Sequence, residues 1–79
     1  MENKEKYDDV FITTFSVKSD QLTSALEYNS IPEWDSIGHM GMIAALEEAF
    51  DIVFEMDDII DFSSYEVGKE LLKKYDVEI

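Results

Sequence analysis

The chain has no cysteine, one proline and three glycines in 79 residues, and its six basic residues are all lysine. Each shortage removes a class of function. Without cysteine there is no disulfide framework, no thiolate zinc site and no cysteine nucleophile. Without arginine, and with a net charge of −13, the surface lacks the basic patch that would neutralise a phosphate backbone or meet an anionic membrane. Long hydrophobic runs are missing too. The longest nearly continuous one, Met40 to Leu46, is far short of the roughly 18 residues that a membrane span requires. Residues 1–9 lack the apolar stretch of a secretory signal. These features predict a cytoplasmic monomer that binds neither nucleic acid nor membrane.

What remains is a folding composition. The chain is 46% hydrophobic and 13% aromatic, too apolar for a disordered tail. Its length suits one small domain, residues 1–79, around a single modest core. The acids are unevenly placed. Residues 35–66 carry Asp35, Glu47, Glu48, Asp51, Glu55, Asp57, Asp58, Asp61 and Glu66 with no basic residue among them. One reading is a solvated acidic face that aids solubility. The other is a surface matched to basic partners, where like-charge repulsion is tolerated in return for faster encounter.

Hydrophobic spacing predicts helices and no strand. Asn3 to Phe15 places Tyr7, Val10, Phe11, Thr14 and Phe15 on one helical face, with Ile12 off it. From Ser16 to Trp34 periodicity is lost, and Ile31-Pro32 demands extended backbone. Leu22, Leu26 and Ile31 are expected to pin this long loop, with a short helical turn around Gln21 to Leu26. A second helix starts at Asp35, a good N-cap, and runs to Phe50. A short helical segment follows from about Met56 to Asp61. The last helix has Ser63 as its predicted N-cap, with Glu66 completing a capping box and Phe62 and Val67 a hydrophobic staple. The result is an all-α fold: a small four-helix bundle of three longer helices and one short one, with a long loop between the first two.

The middle helix carries more apolar surface than one core requires. His39, Met42, Ile43, Leu46 and Phe50 share a sector about 100° wide. Ile37, Met40 and Ala44 form a second strip beside Glu47 and Glu48. This strip is either the second buried side of a central helix or an exposed patch bordered by acids. Gly38, Gly41, Ala45 and Ala49 make a third strip of small residues, suited to close approach of the long loop.

Asp35-Ser36-Ile37 at a helix start, followed by Ala45-Leu-Glu-Glu-Ala-Phe-Asp-Ile52 and Phe54 on an acidic chain of this length, closely resembles the acyl carrier protein family. The likeness extends over nearly the whole chain. It implies that Ser36, preceded by Asp35, is the attachment site of 4′-phosphopantetheine, installed from coenzyme A by a phosphopantetheinyl transferase in a magnesium-dependent step. It implies that Ile37, Met40, Ala44, Glu47 and Glu48 meet partner enzymes, namely the transferase and acyl- or aminoacyl-loading and synthase enzymes with basic docking patches. Asp57 and Asp58 match the third-helix contact. A chain without cysteine needs such an arm to hold a thioester. The protein would be a carrier and not an enzyme, with no catalytic residue and no metal site of its own.

His39 lies three residues from Ser36, so a serine–histidine pair deserves a test; its place on the core stripe predicts a structural histidine instead. Ile43, Leu46, Ile59 and Val67 are expected to line any shelter for an acyl group. Gly38 and Gly41 stand where relatives often carry acids, and Trp34 stands where many have a small residue. These departures lean towards a specialised biosynthetic carrier. Peptidyl carriers usually show Gly-Gly-x-Ser, and Trp34-Asp35-Ser36 favours a freestanding acyl or aminoacyl carrier. Two other classes compete: an acidic interaction module or nucleic-acid mimic without a prosthetic group, and a calcium protein. For the latter, Asp57, Asp58 and Asp61 lack the spacing of a calcium loop.

Overall fold

The computed structural model describes residues 2–79 and contains four α-helices: α1 Asn3–Phe15, α2 Ser36–Phe50, α3 Met56–Asp61 and α4 Tyr65–Lys73. The all-α class and the four-helix arrangement agree with the spacing argument, and α1 and α3 carry the expected bounds. α1 turns its stripe inward, burying Tyr7, Val10, Phe11 and Phe15. It ends where Ser16 takes a left-handed conformation at φ 56°. α2 buries His39, Met42, Ile43 and Leu46 and ends at Asp51, also left-handed at φ 54°.

The start of α4 differs by one residue from the predicted cap. Ser64, not Ser63, is the N-cap, and its Oγ accepts from Val67 N at 3.0 Å. Ser63 is already committed, because its carbonyl accepts from Tyr28 N at 2.9 Å. Together with Tyr65 N donating to the Leu26 carbonyl at 2.9 Å, this forms an isolated antiparallel bridge between Glu27 and Ser64. Glu66 therefore sits too early for a capping box and pairs with Lys69 at 3.5 Å. Val67 is exposed, so it makes no staple. Phe62 instead fills the space above Gly68, where a Cβ would overlap both its ring and the Tyr7 hydroxyl.

The long loop, residues 16–35, is tethered rather than free. A 3₁₀ turn at Ser19–Gln21 replaces the turn expected around Gln21 to Leu26. Leu26 is buried, and Leu22 and Ile31 are half-buried against the core. Its strongest anchor is Trp34, which has no solvent exposure. Its ring stacks on Phe15 with centroids 5.0 Å apart and meets Phe11 edge-on at 5.6 Å. Phe11 also touches Tyr7, Phe15, Phe62 and Tyr65. The core is thus a cluster of aromatic rings from α1, the loop and both ends of the α3–α4 connection, whose buried area and edge-to-face contacts dominate its packing energy.

Candidate functional site

Ser36 is the first residue of α2 and is exposed. Asp35 organises the turn beneath it: its Oδ1 accepts from Gly38 N at 2.8 Å and its carbonyl accepts from His39 N at 2.8 Å. The amides of Ser36 and Ile37 belong to the helix end that has no intrahelical acceptor. A phosphodiester on the Ser36 hydroxyl would therefore sit at the positive end of a 15-residue helix dipole, an arrangement that stabilises anions. The loop approaches closely at this turn. A Cβ at position 38 would overlap the Glu33 carbonyl oxygen, so the small residue there is a steric requirement, and an acidic side chain is excluded. Of the small-residue strip, Gly38 admits the loop, whereas the neighbour a Cβ at Gly41 would meet is Thr14 of α1.

His39 is buried and both of its ring nitrogens are engaged. Trp34 Nε1 donates to Nδ1 at 2.9 Å, and Nε2 lies 2.8 Å from the Ile59 carbonyl. An indole N–H only donates and a carbonyl only accepts, which assigns the ring hydrogen to Nε2. No lone pair is left to take a proton from Ser36, so the pair is not a nucleophile and its base. His39 instead links the loop, α2 and α3 in one line of hydrogen bonds.

Beside Ser36 opens a pocket of about 380 Å³ with mostly apolar walls. Ser36, His39 and Met40 contribute from α2, Ile59 and Ile60 from α3. Phe62 and Ser63 of the α3–α4 connection and Tyr28 of the loop complete the lining. Of the residues expected to shelter an acyl group, only Ile59 lines it. Ile43 and Leu46 are packed into the aromatic core, and Val67 faces outward on α4.

The second strip of α2 is exposed, which decides between its two readings. Ile37 is 82% and Met40 53% accessible, and Ala44 is also open to solvent. Three further apolar side chains, in α3 and the connection before it, are also exposed: Val53, Met56 and Ile60, each at least 72% accessible. They were not predicted. Alternation in Ile52-Val53-Phe54 hints that Val53 faces away from buried Phe54, but α3 is too short to show a helical phase.

The acids divide. Glu48 and Asp57 are exposed. Glu47 is half-buried and its Oε2 accepts from Phe54 N at 2.9 Å, capping the α2–α3 connection. Asp58 is buried at 2% exposure and cannot serve as a surface contact. Its carboxylate takes Lys74 Nζ at 2.7 Å on one oxygen and the Tyr75 hydroxyl at 2.5 Å on the other. The Lys74 ammonium, and then the Tyr75 hydroxyl, hold it below the ordinary aspartate value near 3.8. The sequence spacing of these three residues gave no local sign of this pairing.

Among the described residues, no three His, Asp or Glu side chains gather as a metal-binding group, and no helix is long and apolar enough to cross a membrane. No protein-family model, curated protein or solved structure matches the chain significantly. What the geometry defines is a helical protein with one exposed serine set at a helix mouth, beside an apolar pocket and an exposed apolar strip.

Proposed function

We propose that this protein is a freestanding acyl carrier, with Ser36 as the attachment point of 4′-phosphopantetheine and with partner enzymes docking on α2 and α3. The observation that carries the reading is the setting of Ser36: an exposed hydroxyl at the positive end of α2, on the lip of an apolar pocket, with His39 fully occupied elsewhere. A serine without a base suits a residue that is modified by another enzyme and performs no catalysis itself. The arm, once attached, supplies the thiol that the chain lacks. Asp35 shapes the turn that presents the hydroxyl, and the two free amides of the helix start accommodate the phosphodiester. Ile37, Met40, Ala44 and Glu48, with Asp57, form the contact surface for a phosphopantetheinyl transferase and for basic loading and synthase enzymes. Glu47 contributes charge there while holding Phe54. The carrier is a cytoplasmic monomer in this reading. Its cargo is an acyl group of fatty-acid-like, polyketide-like or specialised biosynthesis, or an aminoacyl group.

The test is intact-mass spectrometry after incubation with coenzyme A, magnesium and a broad-range phosphopantetheinyl transferase. One phosphopantetheine adduct that disappears in Ser36→Ala supports the carrier. No adduct, or an adduct that survives the substitution, overturns it and leaves an acidic interaction module. The mass of any group retained on protein from its native source separates acyl from aminoacyl cargo.

A further inference from the structure

The helix α3 is held in an unusual way for its size. Of its six residues, Met56, Asp57, Ile60 and Asp61 are exposed, Ile59 is half-buried, and the one fully buried side chain is the carboxylate of Asp58. Apolar burial pins only its two flanks. Phe54 and Phe62 are 5% and 1% exposed, and their rings meet edge-on with centroids 6.2 Å apart. Between those pins the attachment is polar. Tyr75 Oη accepts from Glu55 N at 2.9 Å and donates to Asp58 at 2.5 Å. Lys74 Nζ donates to the other Asp58 oxygen at 2.7 Å. On the far side the Ile59 carbonyl takes the His39 ring at 2.8 Å.

We infer that Asp58, Lys74 and Tyr75 form a latch that positions α3 as one wall of the Ser36 pocket, and that breaking it releases α3 alone while α1, α2 and α4 stay folded. The physical ground is that, between its flanks, α3 has only half-buried Ile59 and its carbonyl bond to His39 besides the contacts of Asp58 and Tyr75. A segment with little apolar burial opens locally at low cost unless other bonds hold it. Here those bonds come from residues just after α4, on the side away from the pocket. The wall in question is Ile59 and Ile60. Lys74 and Tyr75 touch neither the pocket nor Ser36, so they are positioning residues that act through α3. The consequence for cargo rests on the carrier reading: an opened α3 would widen the recess beside Ser36. The latch itself does not depend on that reading and is tested on the unmodified chain.

The experiment is residue-resolved amide hydrogen exchange on Asp58→Asn, Tyr75→Phe, Lys74→Met and Lys74→Arg. Tyr75→Phe removes only a hydroxyl and keeps the ring against Phe54, 5.2 Å away, so it reports even if Asp58→Asn fails to fold. In Tyr75→Phe and Lys74→Met the amides of Ile59 and Phe62, which close the α3 turns on Glu55 and Asp58, should exchange about tenfold faster. Core amides of α1 and α2 should change less than about twofold, the signature of sub-global opening. Resonances of Ile60 and Met40 at the pocket should shift, and Lys74→Arg should restore protection. Uniform acceleration across all helices would reduce the triad to a general stabiliser and overturn the inference. Unchanged α3 exchange in Tyr75→Phe and Lys74→Met would overturn it equally. Neither result bears on whether Ser36 accepts a prosthetic group.

Discussion

Trp34→Phe tests the packing argument most severely. Trp34 has no exposure, stacks on Phe15 and donates its one N–H to His39 Nδ1 at 2.9 Å. Phenylalanine keeps a ring there but removes the donor, leaving a buried acceptor at a cost of roughly 1–3 kcal/mol. The lost indole volume leaves a void whose cost falls below the roughly 3–5 kcal/mol of a full truncation to alanine. Together these give a loss of about 2–4 kcal/mol. A domain of this length has a total stability of roughly 4–12 kcal/mol, so the variant should remain folded. Chemical denaturation followed by circular dichroism measures the loss directly. His39→Leu and the double variant complete a cycle, and coupling of about 0.5–3 kcal/mol is expected for directly bonded neighbours. A loss under about 0.5 kcal/mol for Trp34→Phe, within the range of ordinary surface changes, would refute the role of the loop tryptophan as an anchor. Strict additivity in the cycle would refute the hydrogen-bonded link.

Four other outcomes follow from the geometry. Asp58 ionises more readily in the folded chain than its ordinary value near 3.8, so its contribution is complete above about pH 4 and is lost as pH falls through the folded value; the stability gap between wild type and Asp58→Asn should narrow in that acid window. At the other end, burial pushes the Tyr7 and Tyr65 phenols well above their ordinary value of 10.0. The folded state then keeps protons that the unfolded state gives up, stability should drop as pH rises past that value, and ionisation of Tyr7 and Tyr65, followed by their own ring resonances, should accompany loss of helicity rather than precede it. Gly38→Ala should destabilise by more than the helix-propensity gain of about 1 kcal/mol, because the Cβ meets the Glu33 carbonyl; a melting temperature at or above wild type would mean that the loop backbone gives way freely. Charge reversal at exposed Glu48 should slow modification of Ser36 without loss of helicity, whereas Glu47→Lys should also lower the melting temperature, since Glu47 holds Phe54 N; equal melting points for the two variants would show that this bond contributes nothing.

The helices and their inner faces were legible because periodicity is a local signal. The stripe of α1, the stripe of α2 and the Asp35 cap all follow from spacings of three or four residues. The place of Ser36 was legible too, since an Asp35 cap puts it in the first turn of α2, where it is exposed; its role remains the proposal made above. What escaped depends on distant partners. Trp34 sits in an aperiodic loop, so nothing local marks it as the residue that meets Phe11 and Phe15. The cap of α4 moved by one because Ser63 was taken by Tyr28, far away in sequence. Asp58 was read as a surface acid because its acidic neighbours are; Lys74 and Tyr75, 16 and 17 residues on, turn it inward. Ile43 and Leu46 were assigned to a shelter but pack into the aromatic core, and Val67 lies on the exposed side of α4.

The bridge between Glu27 and Ser64 has a kinetic consequence. It closes a circuit that contains the whole of α2 and α3. The entropic cost of such a closure grows only with the logarithm of the enclosed length, yet it must be met before the bridge's two hydrogen bonds return anything. Assembly should therefore begin with α1 against α2, and the circuit should shut afterwards. Substitutions at the bridge would then mainly hasten unfolding, and those between α1 and α2 would mainly slow folding.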